Sequence, residues 1–264
     1  MRRILTALGA VPLLLLVVLA GPPSSFLALV LITAIIGFWE LSAMMQKLGH
    51  RPLPLGYPFV AALVGTFYPG APDIASVAIL LLLTVGLGAV FFRSPQDGLG
   101  AAASTVFATV YVGLLLGSLV GIRMVEPDSS GRHWIVFLLA VVMMGDSGAY
   151  YVGSALGRHR LAPVLSPKKS VEGLVGGIGF SLATAFVLRA LLFPSLSLLT
   201  TAGLGLILSC LGVVGDLFES LLKRSAGVKD ASSLIPGHGG ILDRLDSVLF
   251  ASPALLLYLR WVST

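Results

Sequence analysis

The chain has 264 residues, 56% of them hydrophobic and 11% charged, and a formal net charge of +5. Soluble domains carry about 25% charged residues, so this composition excludes a soluble enzyme or binding module. It leaves a polytopic membrane protein with little material for a soluble domain, in which the position of the cations says more than their excess and nucleic acid is not the expected partner. Cys210 is the only cysteine, so no intramolecular disulfide forms. Its apolar surroundings make it a buried packing residue rather than a thiol catalyst.

Nine apolar segments approach the ~20 residues needed to cross a hydrocarbon core. They are roughly 4–20, 25–47, 57–70, 73–92, 99–121, 133–153, 174–193, 197–221 and 241–262. The fold class is therefore all-α, with about nine transmembrane helices. The first segment has the outline of a signal peptide, with Arg2, Arg3 and an apolar run ending at Ala20-Gly21. No small-x-small cleavage site follows and a second apolar segment comes at once, so a retained helix is expected. The second carries Glu40, read as an internal pairing residue. The third is short and bounded by Pro58 and Pro69; without it the downstream topology inverts. The fifth carries Gly113, Gly117 and Gly121 at four-residue steps, which lets helices approach closely within or between subunits, and a homodimer is expected. Residues 1–130 read as a scaffold, and 131–264 as a catalytic region with loops 154–173 and 222–240.

The positive-inside rule orients the chain. With the N-terminus cytoplasmic and the C-terminus outside, the inner side holds Arg2, Arg3, Lys47, Arg51, Arg93, Arg158, Arg160, Lys168, Lys169, Lys223, Arg224, Lys229 and Arg244. The outer side holds only Arg123, Arg132, Arg189 and Arg260. Both charge-rich loops then face the cytoplasm, where nucleotides are found.

Polarity is concentrated in four places. The sixth segment holds Gly145-Asp146-Ser147-Gly148-Ala149-Tyr150; an intramembrane aspartate is functional by default. The loop after it holds Ser166-Pro167-Lys168-Lys169-Ser170-Val171-Glu172-Gly173. The eighth segment ends on Gly215-Asp216-Leu217-Phe218-Glu219-Ser220, where Asp216, Glu219 and Ser220 share a face. The fourth and densest place, 220–246, carries Lys223, Arg224, Lys229, Asp230, His238, Asp243, Arg244 and Asp246. Charge beside a bilayer is expensive, and cations with paired carboxylates suit a phosphate-rich ligand held with a divalent metal. Asp216, Asp243, Asp246 and Asp146 are the candidate ligands for Mg²⁺, alone or with a second cation. The competing reading is a salt-bridge network with Lys223, Arg224 and Arg244.

The run from Ser220 to Asp246, Ser-x-hydrophobic-Lys-Arg, then Lys-Asp, then Pro-x-His-Gly-Gly-x-x-Asp-Arg-x-Asp, resembles the signature of the phosphatidate cytidylyltransferases, also called CDP-diglyceride synthases. The 166–173 loop is similar to a second motif of that family, in which Thr is common at the position of Ser170. The resemblance implies that CTP and phosphatidate give CDP-diacylglycerol and pyrophosphate, for phospholipid synthesis at the inner (plasma) membrane with the site facing the cytoplasm. It implies catalytic roles for Asp216, Asp243, Lys223 and Arg244. Phosphate contacts would come from Lys168, Lys169, Lys223, Arg224, Lys229, His238, Arg244, Ser147 and Ser220. The alternatives are a CTP-dependent enzyme with another lipid acceptor and an ion-coupled transporter.

Overall fold

The computed structural model describes Pro12 and residues 14–92, 94–126, 128–235, 237 and 239–262, with 128 and 129 described by backbone alone. Arg2, Arg3, Arg93 and His238, singled out above, lie outside the described residues. The described elements are α1 (Pro23–Lys47), α2 (Gly56–Gly65), α3 (Ile74–Val90), α4 (Pro95–Arg123), α5 (Asp128–Leu156), β1 (Arg160–Ala162), β2 (Ser166–Ser170), α6 (Val171–Leu192), α7 (Leu198–Ser225) and α8 (Leu242–Val262). Residues 14–19 of the first apolar segment are also helical.

Local chemistry sets the helix ends. Pro23 opens α1, and Gly49 follows its end at φ 86°, a conformation glycine adopts without strain. Ser94 accepts from the Asp97 N–H at 3.2 Å, with Pro95 in the first turn of α4. Helix α7 stops in a Schellman arrangement: the Gly227 N–H reaches the Arg224 carbonyl, the Val228 N–H reaches that of Lys223, and Gly227 sits at φ 69°.

Six of the described helices are long and apolar enough to cross a membrane, and the fold is that of a helical multi-pass membrane protein. The two remaining apolar helices are shorter. With 10 residues, α2 rises about 15 Å, half of a hydrocarbon core, and α3 has 17 residues. The expected third span, 57–70, is thus a helix only over 56–65. The loop 154–173, inside an all-α expectation, contains a two-stranded antiparallel hairpin pairing Arg160 with Ser170 and Ala162 with Ser166.

By contacts the described chain falls into two compact units. One holds residues 1–124 and 222–244, the other 125–221 and 245–264. The charge-dense loop therefore groups with the N-terminal helices. In the first unit α4 packs against α1, α2 and α3. A side chain at Gly113 would meet Leu63, and one at Gly117 would strike the Phe67 ring, so these two glycines serve packing inside the chain. In the second unit α5 packs along α6, with Gly148 against Phe180 and Gly177 against the Gly145 carbonyl. Trp134 stacks on Phe193 at 4.1 Å near the start of α5, about 18 Å of helix rise from Asp146. Cys210, expected to be buried, is exposed on α7. It shares an outward face with Leu206, Ile207 and Val214, all exposed; on a membrane helix an apolar face turns toward lipid as readily as toward a core.

Candidate active site

In the second unit the acidic residues of three helices lie near one another. Glycine before each of two aspartates allows it. At Gly215, next to Asp216 on α7, a Cβ would collide with the Asp246 carbonyl oxygen on α8. At Gly145, next to Asp146 on α5, it would collide with the Ser181 hydroxyl. Asp146 accepts from the Ser247 hydroxyl at 3.4 Å and lies within electrostatic reach of Asp216 and Lys169. Asp246 accepts from the N–H of Ser247 at 2.7 Å. Lys169 reaches Asp216 with Nζ to Oδ2 at 2.5 Å, the side chains 25% and 29% exposed. A small cavity beside Asp146 is lined by Gly145, Gly177, Ser181, Ser209 and Gly212.

Hard carboxylate oxygens with one lysine among them suit a divalent cation and polyphosphate. In the structure Lys169 supplies the neutralising charge on Asp216. Among the described residues no three His, Cys, Asp or Glu side chains are grouped closely enough to hold a metal as they stand, so a cation here would need phosphate or water oxygens as well.

Lys169 is presented by a braced hairpin. Glu172, in the first turn of α6, accepts from the N–H groups of Arg158 at 3.0 Å and His159 at 3.2 Å and pairs with the His159 ring at 2.6 Å. Val171 donates to the His159 carbonyl, and Ser170 caps α6 through the Gly173 N–H at 3.1 Å. Lys168 beside it is exposed. The bracing role of Glu172 was not read from the sequence, although an acid two residues after a capping serine is a helix-start signal.

In the first unit Lys223 meets Asp243, Nζ to Oδ1 at 2.6 Å, with side chains only 11% and 5% exposed. The other oxygen of Asp243 accepts from the N–H groups of Ala231 and Gly240, both at 2.8 Å. Asp243 thus reaches back three residues, as the acid of a capping box does. Arg224, Lys229 and Arg244 are exposed, and Arg224 donates to the Val228 carbonyl at 3.2 Å. Of the remaining expected residues, Ser147 donates to the Met143 carbonyl of its own helix at 2.8 Å. Ser220 is buried, next to a fully buried Glu219. Glu40 is also fully buried and takes part in the first-unit loop, a role its sequence position did not show.

A sequence model described as the Cytidylyltransferase family matches residues 1–262. A phosphatidate cytidylyltransferase of Bacillus subtilis is 38% identical over an alignment of 275, covering 99% of this chain and 98% of that protein. One of Staphylococcus saprophyticus is 42% identical over 158 residues, 60% of this chain and 59% of that protein. One of Staphylococcus aureus is 42% identical over 134 residues, 51% of this chain and 52% of that protein.

Proposed function

The chain belongs to the cytidylyltransferase family, and on that premise we propose that it is a phosphatidate cytidylyltransferase of a bacterial inner membrane, with its site open to the cytoplasm. The Lys169–Asp216 pair carries the reading. It joins two of the polar motifs in one partly exposed ion pair, an arrangement in which a lysine can exchange a carboxylate for a phosphate.

The reaction asks little covalent chemistry of the protein. A phosphate monoester is largely a dianion at neutral pH, its second pKa being about 6, so phosphatidate needs no general base. Its oxygen attacks the α-phosphorus of CTP; the new O–P bond forms as the bond to the β-phosphate oxygen breaks, and pyrophosphate leaves. The barrier lies in bringing two polyanions into line. Lys169 would leave Asp216 to meet one of them, and Lys168 would add a second charge from the same hairpin. Arg224, Lys229, His238 and Arg244 are further proposed phosphate contacts, with Ser147 and Ser220 as hydroxyl partners; Lys223, paired with Asp243, is given to the framework of its loop instead.

Mg²⁺ would be held by Asp216 and Asp146 together with phosphate and water oxygens, with Asp246 of α8 as a further acid of the same neighbourhood, and would supply charge neutralisation for the triphosphate and its leaving group. For Asp243, which the sequence places among the metal ligands and catalytic residues, the three donors on its carboxylate support a different part: holding the signature loop in register. The expected homodimer would use a face other than that of Gly113 and Gly117, and light scattering of the purified protein would measure it.

The test is pyrophosphate release by purified protein in detergent given CTP, Mg²⁺ and phosphatidate, with an acceptor panel that includes polyprenyl and ether-linked lipid phosphates. Release dependent on diacyl phosphatidate is expected. No release with any acceptor would sink the assignment, and preference for another acceptor would change its substrate.

A further inference from the structure

Glu40 lies in α1, nearly two hundred residues before the charge-dense loop, and its side chain is fully buried. A buried carboxylate is costly unless donors surround it. Here Oε1 accepts from the Ser232 hydroxyl at 2.6 Å and the Ile241 N–H at 2.9 Å, while Oε2 accepts from the Leu242 N–H at 2.9 Å. The two backbone donors are among the N–H groups that the start of α8 leaves without intrahelical partners. A carboxylate at a helix N-terminus also meets the positive end of the helix dipole.

The loop is therefore gripped by two acids. Asp243 takes Lys223 and the N–H groups of Ala231 and Gly240; Glu40 takes Ser232 and the next two N–H groups. The glycine pair between them is explained by this grip. Gly239 sits at φ 80°, which a side chain would strain, and a Cβ there would lie 2.6 Å from Asp243 Oδ2. Gly240 has no such backbone demand; a Cβ there would run into the Glu40 carboxylate. Glycine at 240 answers to Glu40 rather than to its own φ.

We propose that Glu40 is a positioning residue for the transfer reaction, acting through the Gly239-Gly240 turn and the first turn of α8 to hold Lys229 and Arg244 where the phosphates meet them. The proposal rests on the cytidylyltransferase reading above. Neither the motif spacing nor the family match assigns Glu40 a part.

The experiment compares wild type, Glu40→Gln and Gly240→Ala, purified in detergent, by steady-state pyrophosphate release and by amide hydrogen exchange. Glu40→Gln keeps the size but turns one acceptor into a donor that opposes an N–H. Gly240→Ala disturbs the same contact without touching charge. Both should lower kcat about 10- to 100-fold, the scale of an ångström-sized misplacement. Both should expose the Ile241 and Leu242 amides to exchange while leaving α4 protected. Wild-type kcat with wild-type protection in both variants would overturn the proposal, and so would loss of protection spread evenly over α1–α4, which marks general unfolding. If wild type itself released no pyrophosphate, the functional reading would fall instead, and the exchange data would still report whether Glu40 grips the loop.

Discussion

In the first unit Lys223 meets Asp243 at 2.6 Å with side chains 11% and 5% exposed. In the second Lys169 meets Asp216 at 2.5 Å with side chains 25% and 29% exposed. The residue types and lengths match, and the surroundings do not. Asp243 carries two further backbone donors, so its pair is one element of a closed network. Asp216 shares its neighbourhood with a second carboxylate, Asp146, and is less enclosed than Asp243. A pair that is buried and fully bonded resists exchange, because removing one partner strands a charge. A pair about a quarter exposed, with another acid beside it and fewer donors on its carboxylate, is opened by a ligand at lower cost than the enclosed one. Distance alone would have assigned both the same job.

Chelation breaks the comparison hardest. Removing divalent cations with EDTA should stop pyrophosphate release and leave the unfolding midpoint nearly unchanged, with Mg²⁺ restoring turnover; undiminished turnover after chelation would remove the metal from the scheme. Next comes Asp216→Asn, expected to lower kcat about 10²–10³-fold while changing stability by no more than about 1 kcal/mol. Substantial residual activity would take Asp216 out of the site. Lys223→Met should behave oppositely in kind, with a loss of about 3–5 kcal/mol of stability, read as lower membrane abundance and earlier thermal unfolding. A variant as stable as wild type would mean that the first-unit pair is not structural.

Smaller effects sharpen the contrast. Lys169→Ala should raise KM for CTP or phosphatidate about tenfold, the equivalent of one lost charge-assisted contact, with stability within about 1 kcal/mol. A silent variant would return the hairpin to setting topology only. Ser170→Ala should cost about 1 kcal/mol through the lost α6 cap, and Ser170→Thr should keep the cap; equal unfolding midpoints for the two would show that the cap carries no stability.

Much of the helical framework was legible because apolar length and Gly/Pro punctuation are local signals. Seven of the nine apolar segments coincide with described helices to within five residues at either end, and the third is helical over 56–65 alone. The hairpin was not legible: its strands have three and five residues, and Pro163 and Pro167 read as loop. Asp216 and Lys169 were singled out separately, and their pairing depends on how α7 and the hairpin pack. Glu40 was readable as a residue in need of a partner, since a carboxylate inside an apolar helix must have one. Its partners, 192 to 202 positions away, leave no periodic trace.

Glu40's hold on the signature loop bears on how this enzyme can be recombined. A chimaera that grafted residues 131–264 onto a foreign N-terminal bundle would carry every conspicuous motif and still lack the acid that steadies the last of them. Donor and recipient would have to match at one glutamate, which makes the plainer half of the chain the less interchangeable one.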